Sequence, residues 1–136
     1  MNPSKKLERL VAQMENYLEC WKQFNRFVNV ARAKKFNGQD ESQFLEVKSV
    51  LAQELEVILA SVQVASPSKD DIHALIGGAP SLRFLSELNE GSLRNVESQW
   101  HRIYIGWHSI LGQLKVKQIE EASKSAFAAI FGKKAR

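Results

Sequence analysis

The stretch Leu93–Gln118, LRNVESQWHRIYIGWHSILGQLKVKQ, decides the fold. Leu93, Val96, Trp100, Ile103, Trp107, Ile110 and Leu114 recur in alternating steps of three and four. That spacing predicts a helix with a single buried seam. The dipeptide Trp-His occurs twice, at Trp100-His101 and Trp107-His108, one heptad apart. Arg94, Glu97, His101, Tyr104 and His108 form a second stripe beside the seam, within about 80° of one another around the axis. Aromatic, basic and acidic groups crowded on one helix side have the composition of a binding face. These five residues and Trp100 are therefore the first candidates for function.

Toward the N-terminus the same period repeats. Pro3 and Ser4 make a good helix entry, and a long helix is expected to reach about Asn37, where Asn37-Gly38 reads as a C-terminal stop. Its seam is Leu7, Leu10, Met14, Tyr17, Trp21, Phe24, Val28 and Ala31, flanked by Val11, Leu18, Cys20 and Phe27. Arg26, Arg32, Lys34 and Lys35 gather near its end, with no acid between Glu19 and Asp40. Such cations complement the negative end of a helix, and they are a second candidate patch for phosphate or an acidic partner. Asp40 with Gln43 resembles a capping box opening helix two. There Phe44, Leu51, Ile58 and Ala65 form one line, Leu55 and Val62 another, Leu45 and Leu59 a third, and Val50, Val57 and Val64 a fourth. A helix apolar over so much of its circumference is expected at the centre of a bundle.

Ser66-Pro67-Ser68 is expected to end that helix. Two short helices follow, Asp70 to Ile76 and Ser81 to Leu88, joined by Gly77-Gly78-Ala79-Pro80. Asn89-Glu90-Gly91-Ser92 caps the main helix. Gly106 and Gly112 inside that helix each cost about 1 kcal/mol against alanine, and so predict close approach of a neighbour or a bend near Gly112. After Gln118 the pattern resumes as Ile119, Ala122, Ala126, Phe127, Ile130 and Phe131, an amphipathic segment expected to dock on the bundle. Undocked, Phe127, Ile130 and Phe131 would instead present a partner-binding helix or a membrane-surface anchor.

The 136 residues, 44% hydrophobic and 25% charged, are enough to bury a core without cross-links. The net charge of +4 and pI near 9.3 are compatible with nucleic acid or an acidic partner without requiring either. One cysteine, Cys20, excludes an internal disulfide and a cysteine-rich zinc site, and suits a reducing compartment. Lysines open the chain, but Glu8, Arg9, Gln13 and Glu15 interrupt any apolar run behind them, so neither a signal peptide nor a membrane span is read and a cytoplasmic location is expected.

Little of the sequence carries standard chemistry. Glu97 and His101 are four apart and could share a metal, but His108 lies two turns on, about 10 Å from His101. No HExxH and no second Glu-x-x-His helix is present, so no metal site and no cofactor are expected. A nucleophile elbow and a Ser-His-Asp pattern are absent as well, which argues against an enzyme of standard type. Arg94-Asn95 followed by His101 resembles the signature of HEPN-domain proteins, small helical bundles that are often dimeric and in many cases metal-independent ribonucleases. The resemblance spans eight residues. It implies Arg94 as phosphate clamp, Asn95 as positioning residue and His101 as acid/base, acting on RNA.

These readings converge on an all-α fold: a bundle of three long amphipathic helices, two short helices and a C-terminal amphipathic segment. Residues 1–131 are expected to form one domain and 132–136 a frayed basic tail. The expected function is that of an interaction module, an adaptor, small chaperone or assembly subunit, binding a protein partner or a second copy through aromatic and basic helix surfaces. RNA binding or cleavage through Arg94, Asn95 and His101 is the alternative.

Overall fold

A computed structural model describes residues 3–63 and 66–134, with the side chains of Pro3, Lys133 and Lys134 left aside. The described residues form five α-helices and no strand: α1 Pro3–Ala33, α2 Gly38–Ser61, α3 Lys69–Gly77, α4 Leu82–Ser86 and α5 Glu90–Lys134. The fold is all-α. Val64 and Ala65, which the sequence pattern assigned to helix two, and the last two residues of the basic tail lie outside the described residues.

The centre of the bundle is α1, which packs against α5, α2 and α4. Its seam from Met14 through Tyr17, Trp21, Phe24, Val28 and Ala31 is fully buried. Central placement of α2 is thereby corrected. Phe44, Leu51, Leu55 and Ile58 are buried, while Leu45 and Val57 on its other lines remain exposed. An apolar arc wider than one neighbour can cover leaves its margin in solvent. The buried side chains of α1, α2 and α5 join through a relay of rings. Tyr17 meets Trp107 edge-on at 5.4 Å and Trp21 at 6.2 Å, Trp21 tilts on Phe24 at 5.7 Å, and Phe24 on Phe44 at 5.6 Å. Such edge and tilted pairs add about 0.5–1.5 kcal/mol each beyond their buried area. The Tyr17 hydroxyl donates to the Leu51 carbonyl of α2 at 3.0 Å, and burial pushes its phenol above the ordinary value.

The first turn between helices differs from its sequence reading. Helix α1 stops at Ala33, and Lys34 takes the left-handed conformation with φ 60°, its N–H donating to Ala31. Asn37 is then the N-cap of α2. Its side chain accepts from Asp40 N at 2.9 Å while the Asp40 carboxylate accepts from Asn37 N at 3.0 Å. The capping box is thus Asn37 with Asp40, not Asp40 with Gln43, and Gly38 is helical. An Asn-Gly pair serves either helix end, and here the reciprocal acid three residues on selects the start.

Helix α2 ends at Ser61, ahead of the Ser66-Pro67-Ser68 stop. Ser68 and Ser81 cap α3 and α4, each accepting from the backbone N–H three residues ahead. The Glu41 carboxylate of α2 accepts from Leu82 N at 3.1 Å and Arg83 N at 2.8 Å, fastening the start of α4. Lys69 at the start of α3 pairs with Glu56 of α2 at 2.7 Å and holds that carboxyl below its usual range. Asn89 caps α5, accepting from Ser92 N at 2.8 Å.

Helix α5 runs antiparallel to α1, and a ladder of contacts fixes their register. Arg32 meets Glu90 and Glu97, Trp21 meets Trp100, Tyr17 meets Trp107, and Glu15 approaches Lys115. Pro67 is buried against Gly106, where an added Cβ would lie 2.9 Å from its ring. Gly106 therefore permits a close approach. Nothing lies within 4 Å of such an atom at Gly112, and α5 continues unbroken through it.

Candidate functional site

The Trp-His helix divides its labour between core and surface. Leu93, Ile103, Trp107, Ile110 and Leu114 are buried, as the seam requires, with Val96 and Trp100 half-buried beside them. The Trp100 indole N–H donates to the Trp21 carbonyl at 2.7 Å, so this tryptophan anchors α5 to α1. Its outer face stacks on Tyr104 at 4.7 Å and 15°, and Tyr104 meets His108 edge-on at 4.6 Å. Trp100, Tyr104 and His108 thus make a short aromatic ladder in successive turns, half in solvent. His101 is exposed at its margin, 6.3 Å from the Trp100 ring.

The charged members of the stripe serve the helix contact. Glu97 pairs with Arg32 of α1, not with His101, and Arg94 reaches back to Glu90 at 3.7 Å. Arg32 also contacts Glu90 at 3.3 Å and Asn29 at 2.7 Å. These ties remove Glu97 and Arg32 from the face on offer to a partner. Arg26 lies over the Phe27 ring at 4.7 Å with its Nε on Gln23, while Lys34 and Lys35 are exposed where α1 turns toward α2. Arg32 and Arg94 share the Glu90 carboxylate, so the two candidate groups meet there with an acid between them, while Arg26, Lys34 and Lys35 stay apart from the α5 stripe. Arg94, Asn95 and His101 are all exposed on α5, with Arg94 and His101 two turns apart, about 10 Å along the axis. No polar or charged side chain is fully buried among the described residues, and none of their acids, histidines and cysteine gather into a group of three that could hold a metal.

The far end of α5 carries the larger departure from expectation. Lys6 and Leu7 near the start of α1 share a groove with Lys117 and Glu121, and α5 continues for a further 13 residues, 122–134. Docking of this segment on the bundle is corrected: Ile119, Phe127, Ile130 and Phe131 are all more than half exposed. The helix also includes residues 132–134, part of the tail expected to fray. The cause lies in the period. At about 100° per residue, Ile119, Phe127 and Ile130 sit roughly 140–160° around the axis from Leu114. The side that continues the buried seam instead carries Gln118, Glu121, Ser125, Ala128 and Gly132. The apolar face changes sides at Leu114, and α1 cannot cover it.

Val116 belongs to this outer stripe, at 55% exposure. Sequence reasoning missed it because the terminal pattern was read as a continuation of the seam. A running phase angle would have separated the two. Beside the stripe lies an open groove of about 950 Å³, lined by Leu7, Leu10, Val62, Leu114, Val116 and Lys117. The Phe127 and Phe131 rings meet one turn apart, tilted by 31° with 4.3 Å between their centres.

Fold and surfaces together define an α-helical bundle with one projecting amphipathic helix. No family model, curated protein or solved structure matches the chain. No helix among the described residues is long and apolar enough to cross a membrane.

Proposed function

We propose that the chain is an interaction module that holds a protein partner on the outer face of α5. The observation that carries this reading is the stripe Val116, Ile119, Phe127 and Ile130, each more than half exposed on a helix whose opposite side builds the core. Large apolar side chains collected on one face are costly in water unless another surface covers them, and their arrangement in steps of a helical turn suits a helix or a groove as the cover. The Trp100–Tyr104–His108 ladder lies on the same helix and extends the surface open to a partner toward the bundle's middle.

The test is affinity capture. Tagged chain and a Phe127→Asp/Ile130→Asp variant are expressed in cells beside an untagged copy, and recovered proteins are identified with and without nuclease treatment. The intact chain should retain another protein or its untagged copy, resistant to nuclease, and the variant should lose it. Retention unchanged by the substitutions would refute the reading, as would recovery of nothing but RNA.

A further inference from the structure

We infer that the outer face of α5 is a two-fold self-association surface, on which the partner is a second copy of this chain running antiparallel. The inference rests on the interaction reading above and names its partner. The stripe is symmetric in sequence: Val116 and Ile130 stand seven residues either side of Ser123, and Ile119 and Phe127 stand four either side. When two such helices pack antiparallel about a two-fold axis at Ser123, Val116 faces the partner's Ile130, and Ile119 faces the partner's Phe127. Val116, Ile119, Phe127 and Ile130 then each meet an apolar residue of the second copy, the small polar Ser123 falls on the axis, and the exposed Ile105 and Phe131 lie outside the pairing. A closed two-fold contact demands this self-complementarity, whereas a foreign partner places no such condition on the spacing. The steps of three and four are also those of a coiled-coil seam.

The size of the contact fits. The overlap of two α5 helices from about residue 113 to 133 is about 30 Å long, and half the side of a helix 10–12 Å across presents on the order of 500 Å² over that length. Two helices together bury on the order of 1,000 Å², the floor for a biological contact and the size of one that dissociates on dilution. The groove adds to this, because the tip of the arriving helix passes Val116 and Gly112, both of which line it. The projection itself gains a reason: a helical arm of about 13 residues standing alone in water is marginal, and antiparallel pairing covers it in both copies at once.

Size-exclusion chromatography with light scattering on the full chain should give twice 15.4 kDa at micromolar concentration, dissociating on dilution. Ile119→Asp should give a monomer with unchanged tryptophan emission, since Ile119 lies outside the core, while ellipticity falls as the unpaired arm frays. In a Cys20→Ser background, Ser123→Cys should cross-link to its own symmetry mate on mild oxidation with diamide, and Gln118→Cys on the opposite face should not. The idea is overturned by a monomer at all concentrations, by a dimer indifferent to Ile119→Asp, or by a dimer in which Ser123→Cys stays reduced. A monomer that still loses a foreign partner in the Phe127→Asp/Ile130→Asp variant overturns the two-fold pairing and leaves the interaction reading standing.

Discussion

Gly106 and Gly112 share a helix and a residue type but stand in opposite surroundings. A methyl group at Gly106 would meet the Pro67 ring at 2.9 Å, whereas one at Gly112 would meet nothing within 4 Å. Alanine exceeds glycine in helix propensity by about 1 kcal/mol, so Gly112→Ala should raise the unfolding free energy by about that amount. Gly106→Ala should raise it not at all, or lower it, because the loop carrying Pro67 must move. Urea denaturation of the two variants in parallel checks this; an equal gain at both sites would show that the loop yields freely. Residue types alone announced two costly helical glycines, but only the fold tells which one a neighbour uses. Glu97 and His101 teach the same lesson. Their spacing suggested a pair, and the arrival of Arg32 from α1 gave the carboxylate a stronger partner.

Elements were the most legible level, because a seam in steps of three and four is imposed by the helix itself. The α1 seam is buried from Met14 to Ala31 and the α5 seam from Ile103 to Leu114, with Leu7, Leu10, Val96 and Trp100 partly buried at the margins, and Ser68 and Ser81 cap the short helices beside them. What the period does not carry is which helix a face meets. The arc of α2 predicted a centre, yet α1 holds that place because its Trp, Tyr and Phe side chains reach neighbours on several sides. Short α4 shows how an element too brief to stand alone is held. Its first two N–H groups donate to the Glu41 carboxylate, so Glu41→Ala should destabilise the chain by about 1–2 kcal/mol, and Glu41→Gln by less. Thermal unfolding measures the difference. Hydrogen exchange at Leu82 and Arg83 should rise in the alanine variant ahead of the rest of the chain, and an unaltered rate there would show that Ser81 suffices as a cap.

At the scale of the molecule, the chain divides into a bundle closed around α1 and an arm that contributes nothing to that closure. A chain ending at Glu121 should therefore unfold within about 0.5 kcal/mol of the full chain when both are dilute, since exposed residues of this kind rarely count for more. A loss above about 2 kcal/mol would mean that the arm belongs to the core. The candidate surface was only half legible in advance. Phe127, Ile130 and Phe131 stood out as apolar, but their turn to the side away from Leu114 emerges only when the phase is followed through residues 114–119. The tryptophans give this division an optical signature. All three, Trp21, Trp100 and Trp107, lie where α1 meets α5, and the arm has none. Ultraviolet emission will therefore shift to longer wavelength when those two helices part, and stay silent while the arm melts or forms. Far-UV ellipticity responds to both events. A spectrometer recording the two signals from one unlabelled sample can follow the arm by difference, the chain acting as its own two-channel probe.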